Sequence, residues 1–406
     1  MSEHPESAQR GPRFSPFRAL RYAPGSDYSK VIAPPYDVLS DADVAELRAR
    51  DPHQIVHIDV PVDYPTAARH LTDWVAAGVL VRDPEPSLTI YRMAFTDATG
   101  ASRELVGVLG GLEVVDAGAG KVLPHERTTK KASTDRLDLT RATDANLSPV
   151  WGLSLARGLT ALLAEPAELM GSLTVDGVVH TAERVSDPQR LAAISAIIGS
   201  DDVLIADGHH RYGVSRVFRD EVRAATGRTD TMAEDTLTFV GELVPEQLAI
   251  DAIHRLVVGH SHEQVSRILA HDFDLEPAPT PTPAMLAEMV DRGRLVLLAP
   301  DGSATWLIPH ADAFDGIRSL DGAWLEHTLA GPLADGSLRF DYQHGLPEML
   351  TALREGRGEA GILIRPTSIT EIERTGREGL LMPPKSTFFT PKLRTGLVVR
   401  EINPPA

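Results

Sequence analysis

The chain of 406 residues contains no cysteine. That excludes disulfides, thiolate catalysis and cysteine-ligated metal centres, and a cytoplasmic location is the expectation. No unbroken apolar run is long enough to cross a bilayer, so no membrane partner is expected. Met1 to Arg10 is polar and lacks the apolar stretch of a signal peptide; residues 1–12 read as a disordered tail. Positive charge is scarce: 40 Lys plus Arg face 57 Asp plus Glu, a net charge of −17. Nucleic-acid binders draw most of their affinity from cations meeting phosphates, so this balance disfavours nucleic acid as a partner. It does not oppose one small phosphate in a locally cationic pocket. There is no internal repeat and no long low-complexity stretch. A Walker A loop is also missing, because Lys385 lacks the required glycine spacing before it.

What remains is an ordinary folded composition, 42% hydrophobic and 24% charged, on a chain longer than one core usually serves. Apolar spacing predicts helices over 42–50, 64–77 with Gly78 as the stop, 209–225 and 262–270. Strands are predicted over 88–95 and 105–112, perceived as a pair, and over 203–206, 237–244, 294–298 and 360–364. The proline-rich run Glu276 to Pro283 reads as a loop or linker, and Asp83 to Pro86 as a second soft point. The mixed order favours an α+β fold over a doubly wound parallel sheet.

Three segments carry candidate chemistry. In Asp207-Gly208-His209-His210-Arg211, a buried strand runs through Asp-Gly into a helix. The first helical amides lack internal partners and sit at the positive end of the helix dipole, which suits an anion. Gly208 permits close backbone approach, Arg211 supplies a planar fork for phosphate oxygens, and His209 and His210 can donate to them. An Asp207-capped helix with two surface histidines is the alternative. Adjacent histidines on a helix do not face one ion, so no protein-built metal site is expected. In Pro124-His125-Glu126-Arg127-Thr128, a glutamate among cations stays ionised and can take a proton from an alcohol; a solvated charged loop is the alternative. In Pro383-Pro384-Lys385-Ser386-Thr387, a stiff loop presents an ammonium and hydroxyls to an anionic ligand, or is a surface turn. A fourth segment, Ala33-Pro34-Pro35-Tyr36-Asp37, either positions a site residue or is a structural turn.

Together these segments resemble a known arrangement. Ile205 to Tyr212 is similar to the phosphate-binding box of the ParB/sulfiredoxin-like superfamily, in the version found in archaeal free serine kinases. Pro124-His125-Glu126 resembles the segment of those kinases that bears their catalytic glutamate, and Pro384 to Thr387 resembles their serine-binding segment. Over nearly its full length the chain resembles a bacterial family labelled domain of unknown function 1015. The residues that carry this are Ala33 to Asp37, His125-Glu126, Asn146-Leu147-Ser148-Pro149, the Asp207 box and Met382 to Thr387.

The resemblance implies a ParB/sulfiredoxin-like mixed-sheet core with added α/β elements. The implied layout is an N-terminal α/β region at 13–110, the phosphate-binding core at 111–257, and a C-terminal α/β region at 258–406 completing the acceptor site. It implies a kinase that moves a phosphoryl group from ADP, ATP or pyrophosphate to the hydroxyl of free L-serine or a similar metabolite. Glu126, Asp207 and His209 would be catalytic. Gly208, His209, His210 and Arg211 would bind the donor phosphates, and His125, Lys385, Ser386 and Thr387 the acceptor. Mg²⁺ would be held mainly through donor phosphates and water. A homodimer is compatible with this. The kinases carry Arg-His where this chain has Phe388-Phe389, so Lys392 or Arg394 would have to hold an acceptor carboxylate. Rival readings are a nucleotide- or DNA-binding regulator, a phosphoesterase or nucleotide hydrolase, and a noncatalytic phosphometabolite sensor.

Overall fold

The computed structural model describes residues 10–97, 100–125, 133–383 and 385–403. The chain forms two compact units, and it is mixed α and β throughout. The first comprises residues 1–249, 376–379 and 391–406; the second comprises 250–375 and 380–390.

The first unit is built on a nine-stranded mixed sheet. Its strands are β1 (Phe14–Ser15), β2 (Leu88–Thr96), β3 (Ser102–Glu113), β4 (Val122–Leu123), β5 (Val150–Ser154), β6 (Glu168–Val175), β7 (Val178–Val185), β8 (Val203–Asp207) and β9 (Asp235–Glu242). They lie in the order β4-β8-β5-β9-β3-β2-β7-β6, with β1 paired to β3. β4 runs parallel to β8 and β5 parallel to β9; the other pairs are antiparallel. The expected pair of strands at 88–95 and 105–112 is present as β2 and β3. The boundary expected at 110/111 falls inside β3, so residues on both sides of it share one sheet.

Alternation along the strands decides the core. Leu88 and Ile90, Val106 and Val108, and Val203 and Ile205 point to one face, where they pack with Leu159, Leu163, Ile194 and Ile198 from two short helices. Each such side chain, fully buried, contributes about 1.5–3 kcal/mol. Those helices, Leu159–Ala164 and Pro188–Ile198, are not among the predicted ones. The second has a legible start: Asp187 accepts from the Arg190 amide and Pro188 occupies the first turn.

The soft point at Asp83 is instead a buried anchor. Its carboxylate takes both Nε (3.0 Å) and Nη2 (2.9 Å) of the buried Arg21, and a hydroxyl from Ser87 at 2.7 Å. The expected tail also ends earlier than residue 12. Gly11 and Pro12 are buried, and the Gly11 amide donates to the Gly199 carbonyl at 2.9 Å.

The second unit is a six-stranded antiparallel sheet. Its strands are β10 (Ile253–Val258), β11 (Phe273–Ala278), β12 (Leu295–Leu298), β13 (Ala304–Pro309), β14 (Arg339–His344) and β15 (Ala360–Leu363), in the order β11-β13-β12-β15-β10-β14. Leu295 and Leu297 enter one core with Val265 and Leu269; Val296 and Leu298 enter the opposite one with Met289 and Met349. Both faces are covered, which explains the unbroken apolar run of β12.

The run from Glu276 to Pro283 is not a linker. Its first three residues finish β11, with Pro277 opposite Thr305, and Pro283 opens the helix Pro283–Arg292. β11 lies at the sheet edge, where a proline can lack its donor without breaking a ladder on both sides, and proline is favoured in a first helical turn.

Candidate functional site

Two strands of the first unit deliver the site. β4 and β8 are parallel, with Val203 opposite Val122 and Leu204 opposite Leu123. Pro124-His125 and Asp207-Gly208 therefore leave the sheet at the same end. The His125 side chain is buried, and its Nδ1 donates to the Ile205 carbonyl at 2.6 Å. Its backbone amide donates to His209 Nε2 at 3.4 Å, and the two rings meet edge-on at 4.9 Å. These bonds assign the proton of both rings to Nδ1. Burial lowers the His125 pKa to about 4. Burial, and then His125 itself, hold His209 well below the ordinary histidine range. Both rings are neutral near pH 7. Glu126, the expected base, lies outside the described residues, as do Arg127 and Thr128.

The turn is built on Gly208, whose φ of 84° favours glycine. A Cβ there would stand 3.1 Å from the Arg211 guanidinium and 3.3 Å from the Val150 Cα. The helix His209–Thr226 follows, with Gly208 as its N-cap and no side-chain capping bond. The alternative of an Asp207 cap is thus corrected. Asp207 Oδ1 accepts the adjacent Gly208 amide at 2.7 Å, and Oδ2 accepts Lys392 Nζ at 2.9 Å. Burial opposes ionisation of Asp207, but Lys392 and then Arg211 outweigh it and hold the carboxyl well below its usual range. His210 follows in the first turn and is half-buried.

Arg211, expected as a fork for phosphate oxygens, is tied to protein groups. It is buried, its Nη1 donates to the Pro149 carbonyl, and its Nη2 lies 3.8 Å from Asp37 Oδ2 and 3.7 Å from Asp207 Oδ2. Its Nε is buried without a hydrogen-bond partner among the described residues. Burial disfavours its charge, but Asp37 and Asp207 restore it and raise its pKa.

Through Arg211 the remaining motif segments meet. Ala33 exchanges backbone hydrogen bonds with Thr395 at 3.1 and 2.8 Å. The Arg136 guanidinium lies over the Tyr36 ring at 4.1 Å and donates to the Asp59 carbonyl. Ser148 donates to the buried Asp59 carboxylate at 3.1 Å and pairs with the Thr395 hydroxyl at 2.9 Å. Asn146 Oδ1 accepts the Leu237 amide and Arg400. Burial raises the Asp59 pKa, against Arg136. A polar cavity of about 40 Å³ lies among Tyr36, Asp59, Arg136, Ser148, Arg211 and Thr236, enough for a water or two.

Asp59 escaped the sequence reading because it stands in no motif and bonds partners 77 and 89 residues away. Lys392 was visible only as a candidate for an acceptor carboxylate.

The expected acceptor residues Lys385, Ser386 and Thr387 belong to the second unit. Lys385 is exposed with a φ of 59°. The buried Ser386 donates its hydroxyl to the Pro383 carbonyl at 2.7 Å, and its carbonyl accepts the Thr367 hydroxyl at 2.9 Å. Thr387 is half-buried. Among the described residues no group of three or more His, Asp or Glu side chains converges as metal ligands, and no helix is long and apolar enough to cross a membrane.

No curated protein matches the sequence significantly. Among solved structures, a free serine kinase variant in complex with ADP shares 12% identity, covering 70% of this chain and 89% of its own, with a TM-score of 0.39. A conserved hypothetical protein from Pyrococcus furiosus shares 11%, over 69% of this chain and 92% of its own, with a TM-score of 0.39. SbnI with a C-terminal truncation, from Staphylococcus aureus, shares 12%, over 72% of this chain and 87% of its own, again at 0.39. The family described as "Protein of unknown function (DUF1015)" matches residues 14–323, most of the chain, and the protein belongs to that family.

Proposed function

We propose that the protein is a phosphotransferase that moves a phosphoryl group from a phosphoanhydride donor to the hydroxyl of a small molecule, free L-serine or a close relative. The proposal includes a ParB/sulfiredoxin-like core within the nine-stranded unit. The observation that carries it is the docking of His125 on the Asp207–Arg211 turn, by its ring on Ile205 and its amide on His209. His125 is thereby joined to a turn that offers several donors to an anion.

In this reading the first-turn amides, the His209 Nδ1–H and the orphan Arg211 Nε–H bind donor phosphate oxygens. His210 supplies a further donor. The neutral His209 imidazole suits this task, because it keeps one N–H while adding no charge that must be solvated. Glu126 accepts the hydroxyl proton as the acceptor oxygen attacks phosphorus. The bond from phosphorus to the bridging oxygen breaks, and the departing phosphate or nucleotide keeps that electron pair. Asp207, ionised at the turn, would be the protein contact of a Mg²⁺ otherwise held by phosphates and water; such an ion supplies charge neutralisation. Lys385, Ser386 and Thr387 remain acceptor ligands by motif, to be tested by alanine substitution and acceptor KM.

The deciding experiment crosses pyrophosphate, ADP and ATP with serine and other small hydroxyl compounds, followed by phosphorus NMR. Transfer to at least one acceptor is expected, and Glu126→Gln should abolish turnover while donor affinity changes little. Phosphate release without any acceptor would establish a hydrolase instead. No transfer from any donor would overturn the proposal.

A further inference from the structure

Lys392 and Arg394 are equivalent candidates in the sequence, two residues apart. In the first unit they take different work. Arg394 is committed to its surroundings: Nε donates to the buried His180 at 3.5 Å, Nη2 pairs with Asp176 at 3.1 Å, and its amide donates to the Tyr91 hydroxyl at 3.3 Å. Lys392 instead places its ammonium on Asp207, at the phosphate turn.

We propose that Lys392 is a catalytic residue of this turn, whose ammonium passes from Asp207 to the oxygens of the transferring phosphoryl group. This rests on the phosphotransferase reading of the site, and it reassigns Lys392 from acceptor to donor.

Three observations carry the assignment. First, the backbone that bears Lys392 is fixed. Leu393 is buried, the Arg394 amide is held by Tyr91, and Thr395 exchanges two bonds with Ala33. The ammonium is therefore aimed at the turn by the fold, on a four-carbon stem. Second, the two cations on Asp207 differ in chemistry. Arg211 is anchored by the Pro149 carbonyl and lies deep beside Asp37. Lys392 reaches the Asp207 carboxylate through an unbranched stem ending in three rotatable donors. Third, the carboxylate has partners besides Lys392 at 2.9 Å: it accepts the Gly208 amide at 2.7 Å and forms an ion pair with Arg211 at 3.7 Å. When a phosphate arrives, Asp207 keeps two of these and can release the third. An ammonium against charge that develops on phosphoryl oxygens acts where electrostatic preorganisation counts most.

The test compares wild type, Lys392→Met, Lys392→Arg and Asp207→Asn in the full chain. Pyrophosphate and ADP binding are measured by calorimetry at two salt concentrations, and turnover is measured where transfer is found. Lys392→Met is expected to weaken binding by roughly tenfold, to flatten its salt dependence, and to lower kcat on the order of a hundredfold. Asp207→Asn should leave pyrophosphate affinity much closer to wild type, since the ammonium is then released to the ligand. Lys392→Arg keeps the charge and should retain binding better than turnover. A purely structural ion pair predicts equal losses for Lys392→Met and Asp207→Asn with unchanged salt dependence, and that result overturns the proposal. So does a wild-type chain that binds neither probe. A chain that binds but transfers nothing overturns the phosphotransferase reading alone, and the Lys392→Met comparison of binding still decides this one. Should Lys392→Met fail to fold, a Lys392→Arg variant with wild-type kcat would overturn it equally.

Discussion

Burial holds His125 and His180 neutral in the folded protein, each with a pKa of about 4, while in the unfolded chain they titrate near 6.5. Between those values the unfolded state binds protons that the folded state refuses. Their stabilisation is therefore complete above about pH 6.5, falls as the pH drops towards 4, and is flat below that. The full loss is on the order of 3 kcal/mol for each. Urea midpoints at pH 7 and pH 5 measure it, and equal midpoints would contradict the burial argument. At Gly208 the test is substitution. Alanine would have to hold a φ of 84° with its Cβ 3.3 Å from the Val150 backbone, so Gly208→Ala should cost about 1–2 kcal/mol in a denaturant titration and weaken pyrophosphate binding as well. Unchanged values in both would show that the turn does not need glycine. The chemistry of single residues was partly legible at this scale. Asp-Gly-His-His-Arg announces a glycine turn between a strand and a helix, and β8, Gly208 and the helix His209–Thr226 form it. The double duty of Arg211 was hidden, since its partners Pro149 and Asp37 are 62 and 174 positions away in sequence and no local pattern names them.

Elements were legible where their own residues decide them. The continuous apolar Val203 to Ala206, ended by Asp-Gly, appeared as β8, and the apolar face repeating at Val214, Phe218 and Val222 produced the helix His209–Thr226. They were misread where the neighbour decides. Pro277 looks like a strand breaker until its strand is seen to be an edge, and Asp83 looks like a loop residue until Arg21 is seen beneath it. The same dependence on neighbours gives a sharp prediction for β3. A Cβ on Gly107 would lie 2.3 Å from the Phe239 ring and 2.8 Å from the Val240 carbonyl of β9. Gly107→Ala should therefore destabilise the first unit by about 1–3 kcal/mol, read as a lower urea midpoint. Gly107→Ala combined with Phe239→Leu should recover part of the loss. No recovery would mean that the backbone contact, rather than the ring, sets the limit.

At the scale of the molecule, the chain leaves the first unit near residue 249, builds the second, and returns. The returning segment is stitched in by Thr395 to Ala33, Val399 to Leu20, and Arg400 to Asn146, Asp235 and Met232. Glu401 closes it with a bidentate pair to Arg82 at 2.7 and 2.8 Å. No composition shift marks this return, which is why contiguous regions were expected. A variant that stops after Thr390 should lose protection against hydrogen exchange at Leu20 and Ala33, while the amides of β12 in the second unit stay protected. Equal loss in both units would argue against two separately stabilised cores.

The threading of that last segment also sets an order in time. During synthesis, the Asp207 turn emerges long before Lys392 exists to neutralise its carboxylate. Until residue 392 has been made, Asp207 lacks the ammonium that the finished protein gives it. The Asp207 turn therefore cannot reach its final electrostatics early, and an interrupted chain carries the motif without the Lys392 ammonium.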